Sequence, residues 1–324
     1  MYVIRPLTAQ DEDKFITLAY KAHEGILSLP KDRQLLQQKI EDSENAFKTQ
    51  IKKPQKETYL FVLENIETKQ LGGCCGIYSK TAVNSPCYFY RIEELQPTQS
   101  ELHGLKVKTQ KILRLVSYRS GPSEGCALFL HPDFRKEGLG RLLSLSRFLF
   151  IASYPERFDD KFIACFRATI TQYGHSPFWE GLGRHFYDAS YKELEAILQK
   201  DRHSISEILP EGPLYISLLP HSLQQVIARP HDNSIPAVKM LEKEGFQFTH
   251  EVDPYDGGPK WEAVISQIRI IKDSRVATVK SINSETQQNK MIISNNRLNF
   301  RATFGHLEMH ADNTVTISRS VARC

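Results

Sequence analysis

No segment of this chain approaches the roughly 20 continuous apolar residues that cross a bilayer, so nothing in it reads as a membrane span. The opening stretch MYVIRPLTAQDEDKF lacks a cationic segment followed by an apolar one, so it does not read as a secretory signal; it reads as a first strand at 2–5 running into a helix. The six cysteines, at 74, 75, 87, 126, 165 and 324, contain no C-x-x-C pair and no repeating interval. They provide neither a zinc site nor a disulfide framework, and a reducing cytoplasm is their simplest home. Charge of one sign is also scarce: the net charge is +4 over 324 residues, whereas nucleic-acid binders concentrate a basic face. Internal repeats and low-complexity tracts are absent as well.

Against these absences stands an ordinary globular composition, 40% hydrophobic and 25% charged, long enough to bury a sizeable core in one large domain or two smaller ones. Helical patterns cover about 9–22 and 31–50. Strand patterns follow at 59–63 and 72–78, either side of a turn at Glu67-Thr68-Lys69, and again at 126–130. A helix then runs from 138 to about 154, with Leu142, Leu145, Leu149 and Ala152 on one face, followed by a strand at 162–166. Residues 176–230 read as a largely helical excursion. A helix at 235–244 stops at Gly245, whose freedom in the left-handed region suits a helix terminus, and a strand follows at 246–252. Beyond about 271 the segments MIIS, LNFRATFGHLEM and TVTISRSV, separated by Asn-Asn and Asp-Asn, predict a small all-β appendage. The mixture is α/β or α+β, and excludes a helical bundle or a β-sandwich.

The most specific signal is LFLHPDFRKEGLGRLLSLSRFLF at 128–150. A strand, the loop R-x-x-G-x-G (Arg135 to Gly140, with Leu139 between the glycines) and an amphipathic helix leave unpaired N–H groups at the positive end of a helix, a natural anion site. Gly138 and Gly140 let a ligand approach the backbone. No Gly-Lys-Ser/Thr follows, which excludes a Walker A loop, and the dinucleotide pattern G-x-G-x-x-G is not met. A basic run, Lys106, Lys108, Lys111, Arg114 and Arg119, has no acidic residue within it. It reads either as the solvated face of a strand or helix or as an electropositive wall for a phosphorylated ligand. Gly121-Pro122-Ser123-Glu124-Gly125 matches the hydrolase pattern G-x-S-x-G, but a strand follows the serine where that nucleophile needs a helix. Cys74 and Cys75 lie within a strand, pointing to opposite faces. His306 and His310 lack metal-ligand spacing and read as structural.

The strand–R-x-x-G-x-G–helix unit resembles the acyl-CoA pyrophosphate loop of GNAT-type N-acyltransferases. The segments VIRPLT, YLFVLE, CALFLHPDFRKEGLGRLLSLSRF, GHSPFWEGLG, MLEKEGF and YDGGP, in this order, resemble the bacterial arginine N-succinyltransferase family from residue 3 to about 275. The resemblance implies a mixed α+β GNAT-type domain over 1–270 with a helical insertion at about 176–230, and a separate β subdomain over 271–324. It implies transfer of succinyl from succinyl-CoA to the α-amine of L-arginine, opening arginine breakdown. Succinyl-CoA would be a co-substrate, with no permanently bound cofactor and no metal. An oligomer of identical or paralogous subunits is expected, with no nucleic-acid or membrane partner.

The same resemblance assigns Arg135, Gly138, Leu139 and Gly140 to the pyrophosphate and makes Leu128 the acyl-CoA contact through its main chain. It matches His231 to the family's proton donor. Read alone, His231 is a loop histidine beside Asp232 and Asn233, of a residue type suited to proton transfer near neutral pH. The sequence departs from the family here, with His-Asp in place of His-Pro; proline would restrict the backbone of His231, and aspartate frees it. Recognition of arginine requires a carboxylate for the guanidinium and cations for carboxylates. Asp256 and Glu124 are candidates for the first, Arg167 and Arg91 for the second; each reads equally as a turn residue or ion pair. Two rivals remain: the same chemistry on ornithine or another basic amine, and a non-catalytic acyl-CoA-binding subunit.

Overall fold

Continuous apolar runs such as YLFVL demand burial on both faces of a strand. The computed structural model, which describes residues 1–22, 26–98, 100–171, 173–200, 209–283 and 290–324, meets that demand with helices on either side of one large sheet. In chain order the elements are β1 (Tyr2–Pro6), α1 (Glu12–Tyr20), α2 (Arg33–Lys48), β2 (Thr58–Asn65), β3 (Leu71–Tyr78), β4 (Cys87–Leu95), β5 (Glu101–Leu102), β6 (Leu105–Lys106) and β7 (Gln110–Tyr118). Then come β8 (Ser123–Leu130), α3 (Leu139–Ser153), β9 (Lys161–Cys165), α4 (Pro177–Gly181), α5 (Tyr191–Lys200), β10 (Leu214–Tyr215), α6 (His221–Gln224) and α7 (Ile235–Lys243). The chain ends with β11 (Gln247–Val252), β12 (Pro259–Val264), α8 (Arg269–Asp273), β13 (Thr278–Asn283), β14 (Lys290–Ser294), β15 (Ala302–Met309), β16 (Thr314–Ser318) and α9 (Arg319–Ala322).

The main sheet runs β10-β7-β4-β11-β12-β9-β8-β3-β2-β1-β15-β16-β13, with β14 paired to β15. Its pairs are antiparallel except β8–β9 and β13–β16. Alternation along β2 divides the core: Leu60 and Val62 pack with α1 and α2, while Tyr59, Phe61 and Leu63 pack with α3. Each such large side chain contributes roughly 1.5–3 kcal/mol by leaving water. The adjacent cysteines obey the same rule, Cys74 in one core and Cys75 in the other, and burial pushes the Cys75 thiol up to about 12.

Three expectations change. The helix after the glycine loop is buried continuously from Leu142 to Ile151, not on one face, because α8, β14 and β15 cover its outer side. The segment after 270 is therefore no separate appendage. Ile4 of β1 pairs with Ala302 of β15, so the tail extends the main sheet, and Phe300 and Ala302 belong to the principal core. Of the two readings of the basic run, the solvated face holds: all five residues are exposed, and none lines the cavity described below. Lys111 and Arg114 lie on β7 and meet Glu94 and Glu93 of β4 across the pair. The excursion after β9 is only partly helical, through α4, α5 and α6, and its residues 201–208 lie outside the described residues.

Strands β4, β7, β11 and β12 also enclose a buried charge cluster. Lys260 is ion-paired to Glu251, both buried, and sits over the rings of Phe89 and Tyr118 at 4.4 and 4.7 Å. Arg91 and the Tyr118 hydroxyl also donate to Glu251, at 2.7 and 2.5 Å. Burial alone would raise the Glu251 carboxyl, but these donors outweigh it and hold it below its ordinary range. Removing Glu251 strands a buried ammonium, whereas removing Lys260 leaves Glu251 with two donors. Glu251→Ala is therefore expected to cost about 3–5 kcal/mol and Lys260→Met clearly less, read by urea denaturation; equal losses would contradict this ordering.

Candidate active site

Strands β8 and β9 are paired only at their first residues, Ser123 with Phe162 and Glu124 with Ile163. Beyond that they diverge, and residues of both, 124–130 and 164–167, line a cavity of about 840 Å³. The divergence begins beside a bulge. Phe129 pairs with Cys74 and Cys126 with Gly76, so Ala127 and Leu128 together face Cys75. Ala127 takes the left-handed φ of 51°, and its N–H donates to Ser28 Oγ at 2.8 Å. A bulge lifts residues out of the ladder, which turns the main chain at Leu128 toward the gap.

At the mouth lies the glycine loop. Arg135 to Arg141 line the cavity without interruption. Gly138 holds φ at 77° as the residue before α3, and no side chain caps that helix. The Leu139 N–H is taken by the carbonyl of Lys136 at 3.0 Å, leaving the following first-turn amides for an anion. Arg135 Nε donates to the carbonyl of Leu130 at 3.2 Å, which holds its charge over the strand end.

The opposite end is laced by main-chain hydrogen bonds. His231 N–H donates to the carbonyl of Arg167 at 2.9 Å, and Ala228 N–H to that of Gly257 at 2.9 Å. Asp256 clamps the same region, accepting from Ala168 N–H at 3.0 Å and Gly258 N–H at 2.7 Å. The paired glycines have distinct reasons: Gly257 has φ 76°, and a Cβ on Gly258 would lie 2.8 Å from the amide nitrogen of Ala168. Burial, reinforced by the Asp253 carboxylate, pushes Asp256 up from 3.8 to about 7. Glu124, Arg167, Asp253 and Asp256 all line the cavity.

Comparison with known proteins settles the relationship. The family model described as arginine N-succinyltransferase beta subunit matches residues 2–270. The chain belongs to the arginine N-succinyltransferase family. It is 37% identical over 280 residues to the arginine N-succinyltransferases of Shigella flexneri serotype 5b and Escherichia coli strain K12 / DH10B, covering 86% of this chain and 80% of each relative. Its structure is similar to that of subunit AI of the arginine/ornithine succinyltransferase of Pseudomonas aeruginosa, with a TM-score of 0.87 and 31% identity over 100% of this chain and 94% of that one.

In this member of the arginine N-succinyltransferase family, Leu128 lies on the bulge and lines the cavity, together with Arg135, Gly138, Leu139 and Gly140. His231 is not itself a lining residue, but 232–234 are, and it stands at the rim. Its Nδ1 accepts from Asn233 N–H at 3.1 Å, which leaves Nε2 to carry the proton in the neutral ring. The missing proline does not loosen it: His231 has φ −54° and ψ 141°, against −58° and 140° at His131, which does precede a proline. Arg91 is not brought here; it belongs to the Glu251 cluster. Ser123 is buried within β8, donating to the carbonyl of Ser79 at 2.6 Å, so the G-x-S-x-G match has no exposed nucleophile. Sequence reasoning missed Asp253 and Arg147, since neither position stands out until the cavity is seen.

An acid whose folded pKa exceeds its unfolded one holds an extra proton in the folded state, so its contribution to stability falls as pH rises between the two values. For Asp256 that window runs from 3.8 to about 7. The stability advantage of the wild type over Asp256→Asn should shrink across this window in denaturation curves at stepped pH. A constant difference would contradict the raised pKa.

Proposed function

We propose that this chain transfers the succinyl group of succinyl-CoA to the α-amine of L-arginine, releasing N2-succinyl-L-arginine and CoA. The observation that carries this reading is the sorting of charge along the cavity. Exposed cations Arg135, Lys136 and Arg141 flank the uncapped helix start at the mouth, while Asp253 and Asp256 gather at the inner end, beyond β9; Glu124 lines the wall where β8 and β9 are still paired. An anionic cofactor arm entering at one end and a cationic acceptor at the other fits that polarity. The loop would hold the pyrophosphate, and main-chain N–H at the Leu128 bulge would face the thioester oxygen, where negative charge develops. Acids at the inner end would meet the guanidinium, and Arg167 the α-carboxylate.

The amine attacks the thioester carbon directly, with no acyl-enzyme. As the tetrahedral adduct collapses, the carbon–sulfur bond breaks and the thiolate takes a proton. His231 Nε2 supplies it and recovers one from the former amine nitrogen, so protons balance. The six cysteines form no disulfide, which fits a reducing cytoplasm as the place of action.

A second acceptor, ornithine, is favoured by the similarity to a relative named as an arginine/ornithine succinyltransferase. That relative is named as a subunit, and we propose that this chain also works as an oligomer of identical or paralogous subunits.

The test is thiol release from succinyl-CoA with arginine, ornithine or lysine, beside an acetyl-CoA control. Release with succinyl-CoA and arginine is expected; release only with ornithine moves the acceptor. No release with any acceptor, despite CoA binding, would favour a non-catalytic subunit. His231→Gln is expected to lower kcat by roughly 10²–10⁴-fold with unchanged CoA affinity by calorimetry. A loss confined to KM would overturn its role as proton donor.

A further inference from the structure

About two turns into α3, Arg147 faces the sheet. It is 3% exposed and lines the cavity. Its Nε donates to the carbonyl of Ser144 at 3.0 Å, its Nη1 to the carbonyl of Gly76 at 3.2 Å and its Nη2 to Ser144 Oγ at 2.9 Å. All three acceptors are neutral, and they occupy three of the five N–H donors that a guanidinium carries. Among the described residues, no carboxylate forms an ion pair with it. Guanidinium remains charged at any physiological pH, and a buried charge without a counter-ion is costly. The protein therefore holds a full positive charge at the wall of a ligand cavity, with donors to spare and no ion-pair partner among the described residues.

The guanidinium reaches the sheet where β8 carries a glycine. A Cβ on Gly125 would sit 2.9 Å from Nη1 and 3.1 Å from the Phe162 ring, so the missing side chain is what lets the charge lie against the strand that carries Leu128. Three strand positions, or roughly 10 Å at most, separate Gly125 from Leu128, where the thioester oxygen is read to lie. A four-carbon diacid chain with a hydrogen bond at each end spans a comparable distance. The other lining cations are differently placed: Arg135, Lys136 and Arg141 are at the mouth, and Arg167 lies beside Asp256.

We propose that Arg147 is the counter-ion for the distal carboxylate of the acyl donor, and that it selects a dicarboxylic monothioester over a neutral acyl group of similar length. This rests on the acyl-CoA reading of the cavity given above. The carboxylate would take up the unused guanidinium donors, with Gly125 letting the guanidinium lie against β8.

The test compares succinyl-CoA with butyryl-CoA, in which a methyl group replaces the carboxylate, using arginine as acceptor. Both kcat/KM and affinity by calorimetry are measured. The wild type is expected to favour succinyl-CoA by about 100-fold or more. Arg147→Met should collapse that ratio toward one while leaving butyryl transfer intact, and Arg147→Lys, which keeps the charge, should lower it by about 10-fold. Thermal melts accompany both variants, because Arg147 also ties α3 to β3. If Arg147→Met does not fold, the ratio in Arg147→Lys decides. An unchanged ratio in a folded variant, or equal losses on both donors, would overturn the proposal and leave Arg147 a structural tie. An inactive wild type would defeat the acyl-transfer reading instead. The affinities would still decide the role of Arg147, since equal binding of succinyl-CoA and butyryl-CoA overturns it.

Discussion

The site depends on a sheet that comes apart on purpose. Strands β8 and β9 form the parallel contact at the centre of an otherwise antiparallel stretch, and they share only two pairs of residues before separating. Two features keep them apart. The Ala127–Leu128 bulge turns β8 away from a regular ladder, and β9 is drawn toward β12, with which it pairs from Lys161 to Cys165. Its continuation is then stitched to the 228–231 segment and to the Asp256 clamp. Hydrogen-bonding groups released by the divergence are what a thioester and its pantetheine arm can use. A fully paired sheet would have neither the cavity nor the exposed main chain.

Around that gap the chain distributes charge by burial. Solvated cations at the start of α3 suit phosphates, which bring their own water and many oxygens. Buried groups are fewer and each has one direction to point. Asp256 spends its carboxylate on two amides and is raised toward neutrality by its surroundings, so it serves the shape of the inner end at least as much as its charge. The tail strands belong to the same economy of cover. By lying on the outer face of α3 they bury the helix whose start forms the mouth, and Phe304 of β15 lies close to Gly138.

Much of this was legible in the sequence, for local reasons. The β2–β3 hairpin, the β8–loop–α3 unit and the α7–Gly245–β11 unit each carry a period and a punctuating glycine or turn, and each forms where the pattern puts it. Strands β4 and β7 were not legible, because CYFYRIEEL and QKILRLVSY mix charges with apolar residues, and those charges are satisfied only by neighbouring strands, Glu93 and Glu94 by β7 and Arg91 by Glu251 of β11. The tail was legible as strands but not as part of the main sheet. Nothing local encodes the pairing of Ile4 with Ala302. The glycine loop could be read residue by residue, whereas His231 and Leu128 entered through family resemblance. Arg147 looks like one more helix cation until Gly76 and Gly125 are placed beside it.

The central claim, that the divergence of β8 and β9 receives acyl-CoA with its pyrophosphate on the start of α3, is tested most directly by amide hydrogen exchange with and without CoA. Protection is predicted at 126–130 and 138–142, with little change in β4, β7 or the strands after 290. Protection concentrated elsewhere, with 138–142 exchanging as freely as in the unliganded protein, would contradict it.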